Sequence, residues 1–206
     1  MTTLICHASD WAPPLLGRTG TDWTWMLGLS LFLFSAMWPA SASGGGRPGK
    51  VRAAVFAGTW YEGKREALAA SIDAYLGGES RPDVPVPDGA AQARSWAAQG
   101  RVPTAVIVPH AGHVYSGECA GQAFRLLRGQ KFRRVILLGP SHTLAFRGAA
   151  LPEEDAFSTP LGVVPLDHEA LARLQKRDGY QILPRAHARE HSLEIELPFL
   201  QETLAP

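Results

Sequence analysis

The chain has 206 residues, ordinary apolar and charged content and a formal net charge of +1. That length suits one full-sized domain with a buried core, and the near-neutral balance excludes the field that gathers nucleic acid or an anionic membrane surface. The two cysteines, Cys6 and Cys119, make no CxxC, zinc-ribbon or disulfide framework, so they do not report a redox compartment.

In chain order, the first feature is the uncharged stretch Trp25 to Trp38, followed by Pro39-Ala40-Ser41-Ala42-Ser43. An apolar run of this length with an Ala-x-Ala site reads as a secretory signal peptide. It is short for a transmembrane helix, which needs about 20 apolar residues. Asp10 and Asp22 outnumber Arg18 ahead of it, an atypical flank that a translation start at Met26 would remove. The expectation is export to the periplasm or beyond if this leader is real, with membrane contact only through it, and a cytoplasmic protein otherwise. Gly44 to Lys50 begins like a phosphate-binding loop, but Val51 stands where Ser or Thr must hold magnesium, and no strand leads in. The stretch reads instead as a flexible linker, with residues 1–50 outside the folded domain and 51–206 forming it.

Gly58-Thr59-Trp60-Tyr61 precedes a helical pattern from Lys64 to Leu76, with Leu68, Ile72, Tyr75 and Leu76 on one face and Gly77-Gly78 at its end. Residues 79–90 are Pro-rich and polar, a surface loop. Thr104 to Val108 is a short, continuously apolar, β-branched run, as expected of a fully buried strand, and it leads into Pro109-His110-Ala111-Gly112. A helix follows from Ser116 to Leu127, closed by Gly129 and carrying Cys119 as a small buried packing residue. Arg134 to Leu138 repeats the buried-strand pattern and leads into Gly139-Pro140-Ser141-His142. Residues 148–166 suggest short strands around an irregular loop. Asp167 caps a helix through Lys176, Tyr180 to Leu183 is a short strand, and Glu190 to Leu204 reads as an amphipathic helix that Pro198 kinks or shortens. The alternation predicts an α/β fold with a mostly parallel or mixed sheet flanked by helices.

Two histidines thus leave the carboxyl ends of two matching strands, where open α/β sheets place their ligands. If the strands are neighbours they lie about 4.8 Å apart, close enough for both imidazoles to meet one metal ion. His110 and His142 are therefore the expected metal ligands. His113 and Tyr115, in the same loop as His110, are candidates for a proton relay or a substrate hydrogen bond. His191 is the third catalytic candidate. It lies three residues before Glu194, a spacing that lets a helical pair share a face, while Glu190 at a helix start is explained by the dipole alone. GxSxG, a strand-linked GxGxxG and HExxH are absent, which disfavours serine hydrolysis, Rossmann hydride transfer and zincin chemistry.

The ordered blocks AGTWY, PHAGHVYSG, LGPSH, FSTPLG and EHSLEIELPFLQ resemble the MEMO family, whose animal members mediate ErbB2-driven cell motility and whose bacterial members are called AmmeMemoRadiSam system protein B. The resemblance implies a fold like that of class III extradiol dioxygenases, with a metal-capable pocket at strand ends. His110 and His142 match two of the family's metal-site residues, and His191 matches a signature position to which no chemical role attaches. His113 stands where the family usually has an aromatic residue. The family domain continues past the EHS block and carries a cysteine ligand there. The chain is therefore expected to be a fragment, incomplete at its C-terminus.

Three functions follow as expectations. One is a non-haem oxidoreductase using a divalent metal, iron or copper, on a small molecule. Another is a non-enzymatic protein that holds a peptide or metal in the same pocket. The third is a metal hydrolase drawing on Glu118, Glu190 or Glu194. Substrate and oligomeric state are not legible.

Overall fold

The computed structural model describes residues 49–77, 95 and 98–204, together with the strands Thr2–His7 and Leu29–Ser35. Residues 44–48 of the linker and the Pro-rich loop at 79–90 fall outside the described residues. In chain order the elements are β1 (Thr2–His7), β2 (Leu29–Ser35), β3 (Val51–Arg52), α1 (Arg65–Gly77), β4 (Ala105–Pro109), α2 (His113–Phe124), β5 (Arg134–Pro140), β6 (Ala149–Leu151), β7 (Ala156–Thr159), β8 (Gly162–Pro165), α3 (His168–Gln175), β9 (Tyr180–Ile182), α4 (Pro184–His187) and α5 (Leu197–Thr203). Among the described residues no helix is long and apolar enough to cross a membrane.

A six-stranded mixed sheet runs β4-β1-β5-β2-β6-β9, and a second sheet of three strands runs β3-β7-β8. β1 is antiparallel to both β4 and β5, so those two strands point the same way, as their sequences predict. They are not neighbours, however. β1 lies between them, which corrects the spacing from one strand interval to two, about 9.6 Å. Their ends nonetheless stay level, because Leu4 pairs with Ile107 on one side and Leu138 on the other. The apolar stretch Trp25 to Trp38 contains β2, which pairs with β5 and, in parallel, with β6.

Helix α1 forms where the apolar spacing places it, with Leu68, Ile72 and Leu76 fully buried along one stripe. Helix α2 begins at His113, earlier than expected, because Gly112 rather than Ser116 precedes its first turn. Ser116 instead turns inward, and its hydroxyl donates to the Ala111 carbonyl at 3.0 Å. The inward stripe of α2 is His113, Ser116, Gly117, Ala120, Gly121 and Phe124. Cys119 lies off that stripe and is exposed, correcting the expectation that it packs in the core.

Two of those positions are glycines because α1 comes too close for a side chain. A Cβ on Gly117 would sit 2.7 Å from the Tyr75 ring, and one on Gly121 would sit 2.7 Å from the Tyr75 carbonyl carbon. Tyr75 can swing its ring but not its backbone. Gly121→Ala is therefore expected to force the helices apart and cost about 1–3 kcal/mol, the range for an overpacked core. Gly117→Ala should cost less. Urea unfolding of the two variants checks the order.

The Glu190–Leu204 stretch is not one helix. Residues Glu194–Glu196 form a 3-10 turn and only Leu197–Thr203 is α-helical, with Pro198 in its first turn, where a missing N–H is harmless. Phe199 of α5 stacks on Phe124 of α2, ring centroids 5.0 Å apart, and closes the core between them. The freed segment Glu190–Leu193 then runs across the end of β5. Gly139 allows this close approach, since a Cβ there would meet Ser192 Oγ at 2.7 Å.

Candidate metal centre

Three loops meet at the level carboxyl ends of β4 and β5. The first follows β4 and delivers His110, fully buried. The second follows β5 and delivers His142, which reaches solvent. The third is the Glu190–Leu193 segment, anchored by Ser192, whose hydroxyl donates to the Pro140 carbonyl at 2.8 Å. It delivers His191, half-buried.

The rings of His110 and His142 lie 5.4 Å apart, those of His110 and His191 5.7 Å apart, and His142 and His191 stack at 4.3 Å. One nitrogen from each ring lies within 4.8 Å of the others. A single ion bound by imidazoles at about 2.0–2.1 Å holds its nitrogens somewhat closer together than that upper limit. The donor set therefore fits one ion after an inward movement of the rings on the order of 1 Å. Among the described residues no acidic group joins this cluster.

Protonation suits the same purpose. Burial, reinforced by the neighbouring His142 and His191, holds His110 down at about 4. Burial also lowers His191, with His142 adding to it and Glu190 and Glu194 opposing. Near neutral pH these two rings are uncharged, each with a lone pair to offer.

Around the imidazoles stands a shell that the sequence patterns do not single out. The turn from Phe56 to Tyr61 closes through Gly58 N–H to the Tyr61 carbonyl at 2.7 Å, with Gly58 at φ 79°, a conformation that favours glycine. It sets Trp60 over His191, ring centroids 4.3 Å apart, with Phe56 edge-on behind it. The His113 N–H donates to the Trp60 carbonyl at 2.8 Å and ties this turn to the start of α2. Below it, Glu194 is fully buried. One oxygen accepts from Arg52 at 2.5 Å, and the other accepts from the Phe56 N–H and the Tyr61 hydroxyl, both at 2.8 Å. Arg52 also donates to the carbonyls of His187, Glu190 and Ala53.

The other expected site residues lie elsewhere. His113 points into the core among Tyr61, Tyr75 and Phe199, with Nε2 at 2.9 Å from the Ile195 carbonyl, and burial lowers its pKa against that bond. Tyr115 is 87% exposed on the outer side of α2. Glu190 and His191 sit in the crossing segment rather than at a helix start, so the dipole account of Glu190 is replaced by a different role. Its carboxylate accepts from the His142, His191 and Ser192 N–H groups and lies 2.8 Å from His142 Nδ1. Burial opposes its charge, but these bonds outweigh burial and hold Glu190 below the ordinary carboxylate range. The pairing of His191 with Glu194 on a helix face does not form, because that stretch is not helical and Glu194 faces Arg52.

Fold and site together define a mixed α/β protein with a three-imidazole cluster at strand ends. The profile of the family described as Memo-like protein matches residues 52–206. A MEMO1 family protein of Aquifex aeolicus is 34% identical over 152 residues, covering 74% of this chain and 50% of the relative. One from Aeropyrum pernix is 39% identical over 155 residues, covering 74% and 52%. Protein MEMO1 of Xenopus tropicalis is 32% identical over 154 residues, covering 74% and 46%. The chain belongs to the Memo-like family. It spans about half the length of these curated relatives.

Proposed function

We propose that His110, His142 and His191 hold one divalent metal ion, iron or copper, and that the centre serves a non-haem oxidoreductase acting on a small molecule. The observation that carries this reading is the convergence of three imidazole nitrogens within 4.8 Å at the ends of parallel-running strands. Imidazole suits iron, copper and zinc, and three protein ligands leave coordination positions open. When bound, such an ion supplies Lewis acidity and one-electron redox capacity to whatever occupies those positions. The chain's own part is to orient the rings through Glu190, to cover His191 with Trp60, and to keep His110 away from water.

The second reading, a non-enzymatic binding protein, draws support from Val114 and Tyr115, which stand 78% and 87% exposed at the start of α2. Exposed apolar side chains of this kind suit a peptide partner. The hydrolase reading is weaker, because Glu190 and Glu194 each already accept three hydrogen bonds.

Titration of the full chain with Fe(II) and Cu(II) tests the centre. One ion per chain is expected in the wild type, with at least a tenfold loss of affinity in His110→Ala, His142→Ala and His191→Ala. Unchanged binding in all three variants would sink it. Oxygen uptake with a panel of catechols then separates enzyme from binding protein. Export is proposed on the Ala-Ser-Ala site alone, and cleavage there would take β1 and β2 out of the six-stranded sheet. N-terminal sequencing that begins near Ser43 supports it, and an intact Met1 overturns it.

A further inference from the structure

We propose that Glu190 is the positioning residue of this centre, fixing the tautomer of His142 and clamping the loop that carries His191 onto the loop that carries His142. The inference rests on the metal-centre reading and adds how the ligand set is oriented.

Four hydrogen-bonding groups converge on the Glu190 carboxylate. The His142 N–H meets Oε2 at 2.5 Å, while His142 Nδ1, at 2.8 Å, and the N–H groups of His191 and Ser192, both at 3.0 Å, meet Oε1. Three of these are backbone amides that can only donate. Three fixed donors spread over both oxygens favour the ionised carboxylate, which is acceptor-only with about four lone-pair sites. It has no proton to give His142, so Nδ1 must carry the hydrogen. In the neutral ring the lone pair then lies on Nε2, on the far side of the ring from Glu190. This is the carboxylate–histidine arrangement that presents a ligand in one tautomer and one orientation.

The same carboxylate joins two loops far apart in sequence, 48 residues from Glu190 to His142. Its own backbone is held in turn, since Arg52 donates to the Glu190 carbonyl at 2.8 Å. Glu190 is 2% exposed, so water does not replace these bonds when they are lost. A glutamine there fails on chemistry rather than on size. Whichever way its amide is turned, the NH2 faces at least one backbone N–H. With the oxygen kept toward the His142 amide, the NH2 donates to Nδ1 and moves the ring proton to Nε2, where it blocks the metal.

The test uses the 15N-labelled full chain and Glu190→Gln. Long-range proton–nitrogen spectra of the metal-free wild type are expected to show His142 with its proton on Nδ1, and Glu190→Gln to show loss of that tautomer. Titration with Zn(II) and with Cu(II) is expected to give a 10–100-fold weaker affinity in the variant, the usual effect of removing an orienting carboxylate. A wild-type His142 protonated on Nε2 overturns the proposal whether or not the variant folds. A variant that binds both ions as tightly as the wild type overturns it as well. A wild type that binds neither ion defeats the metal-centre reading instead, and the ring spectra then decide the positioning claim by themselves.

Discussion

Replacing Glu194 with alanine is expected to lower stability by about 3–5 kcal/mol, the cost of removing one partner from a buried ion pair. Arg52 is 6% exposed and Glu194 is 0% exposed, and the pair closes at 2.5 Å. Arginine keeps its charge in proteins, so Glu194→Ala strands a guanidinium where water cannot reach it. It also orphans the Phe56 N–H and the Tyr61 hydroxyl, two further buried or half-buried donors. For a chain of this size each kcal/mol moves the melting temperature by about 2–4 °C, so the fall should be roughly 6–20 °C. Calorimetry reads it directly. The double variant Arg52→Met with Glu194→Met should recover much of the loss, because replacing a buried pair with apolar groups is far milder than breaking it. A Glu194→Ala protein within 1 kcal/mol of the wild type would show the pair to be inert. Because Arg52 also holds the Glu190 and His187 carbonyls, metal affinity should fall in Glu194→Ala, although Glu194 is outside the triad.

This network marks where sequence patterns stop informing. Strands β4 and β5 are legible as strands because each is short, apolar and β-branched, but the expected full burial fits only β5: β4 is the edge strand of its sheet, its residues alternate between buried and exposed, and Ile107 is 66% exposed. Their separation by β1 is not legible, since an intervening strand leaves no mark on the strands it separates. His110 and His142 are legible because each follows a strand end. His191 becomes a ligand candidate only when Glu190–Leu193 is released from helix, and the feature that releases it, Pro198, allows either a kink or a late start. Structure selects the late start. Arg52 gives no sequence cue at all. It follows a glycine-rich linker and looks like any surface arginine, yet it pairs with Glu194 at a separation of 142 residues. Trp60 lies in a recognisable block, but its place over His191 depends on a turn whose only local mark is Gly58. The dioxygenase-like architecture implied by resemblance stays outside these observations. The mixed α/β class does not.

Glu196→Met is expected to stabilise the fold at neutral and alkaline pH. Glu196 is 1% exposed, and neither carboxylate oxygen has a hydrogen-bond partner among the described residues. Burial alone raises its pKa well above the usual value. The carboxyl therefore favours folding fully only below the unfolded value of about 4.5. As pH rises through the folded value that contribution is lost, at up to about 1.4 kcal/mol per pH unit. Methionine has nearly the same length and no charge to bury, so the variant should gain about 1–3 kcal/mol at pH 8, the range for removing an unsatisfied buried polar group. The gain should shrink as pH falls to 4.5, where the folded carboxyl is neutral and only its unmade hydrogen bonds remain to be relieved. The buried histidines act in the opposite direction. His110 and His187 are both held at about 4, chiefly by burial, below the unfolded 6.5, so their contribution is present above pH 6.5 and is lost as pH falls toward 4. The wild type is thus weakened from both sides, and Glu196→Met relieves only the alkaline one, moving the pH of greatest stability upward. Urea unfolding at pH 4.5, 6 and 8 measures this shift. A variant less stable than the wild type at pH 8 would mean that the Glu196 carboxylate is charged and paired in the folded protein, and the orphaned-acid account would then be wrong.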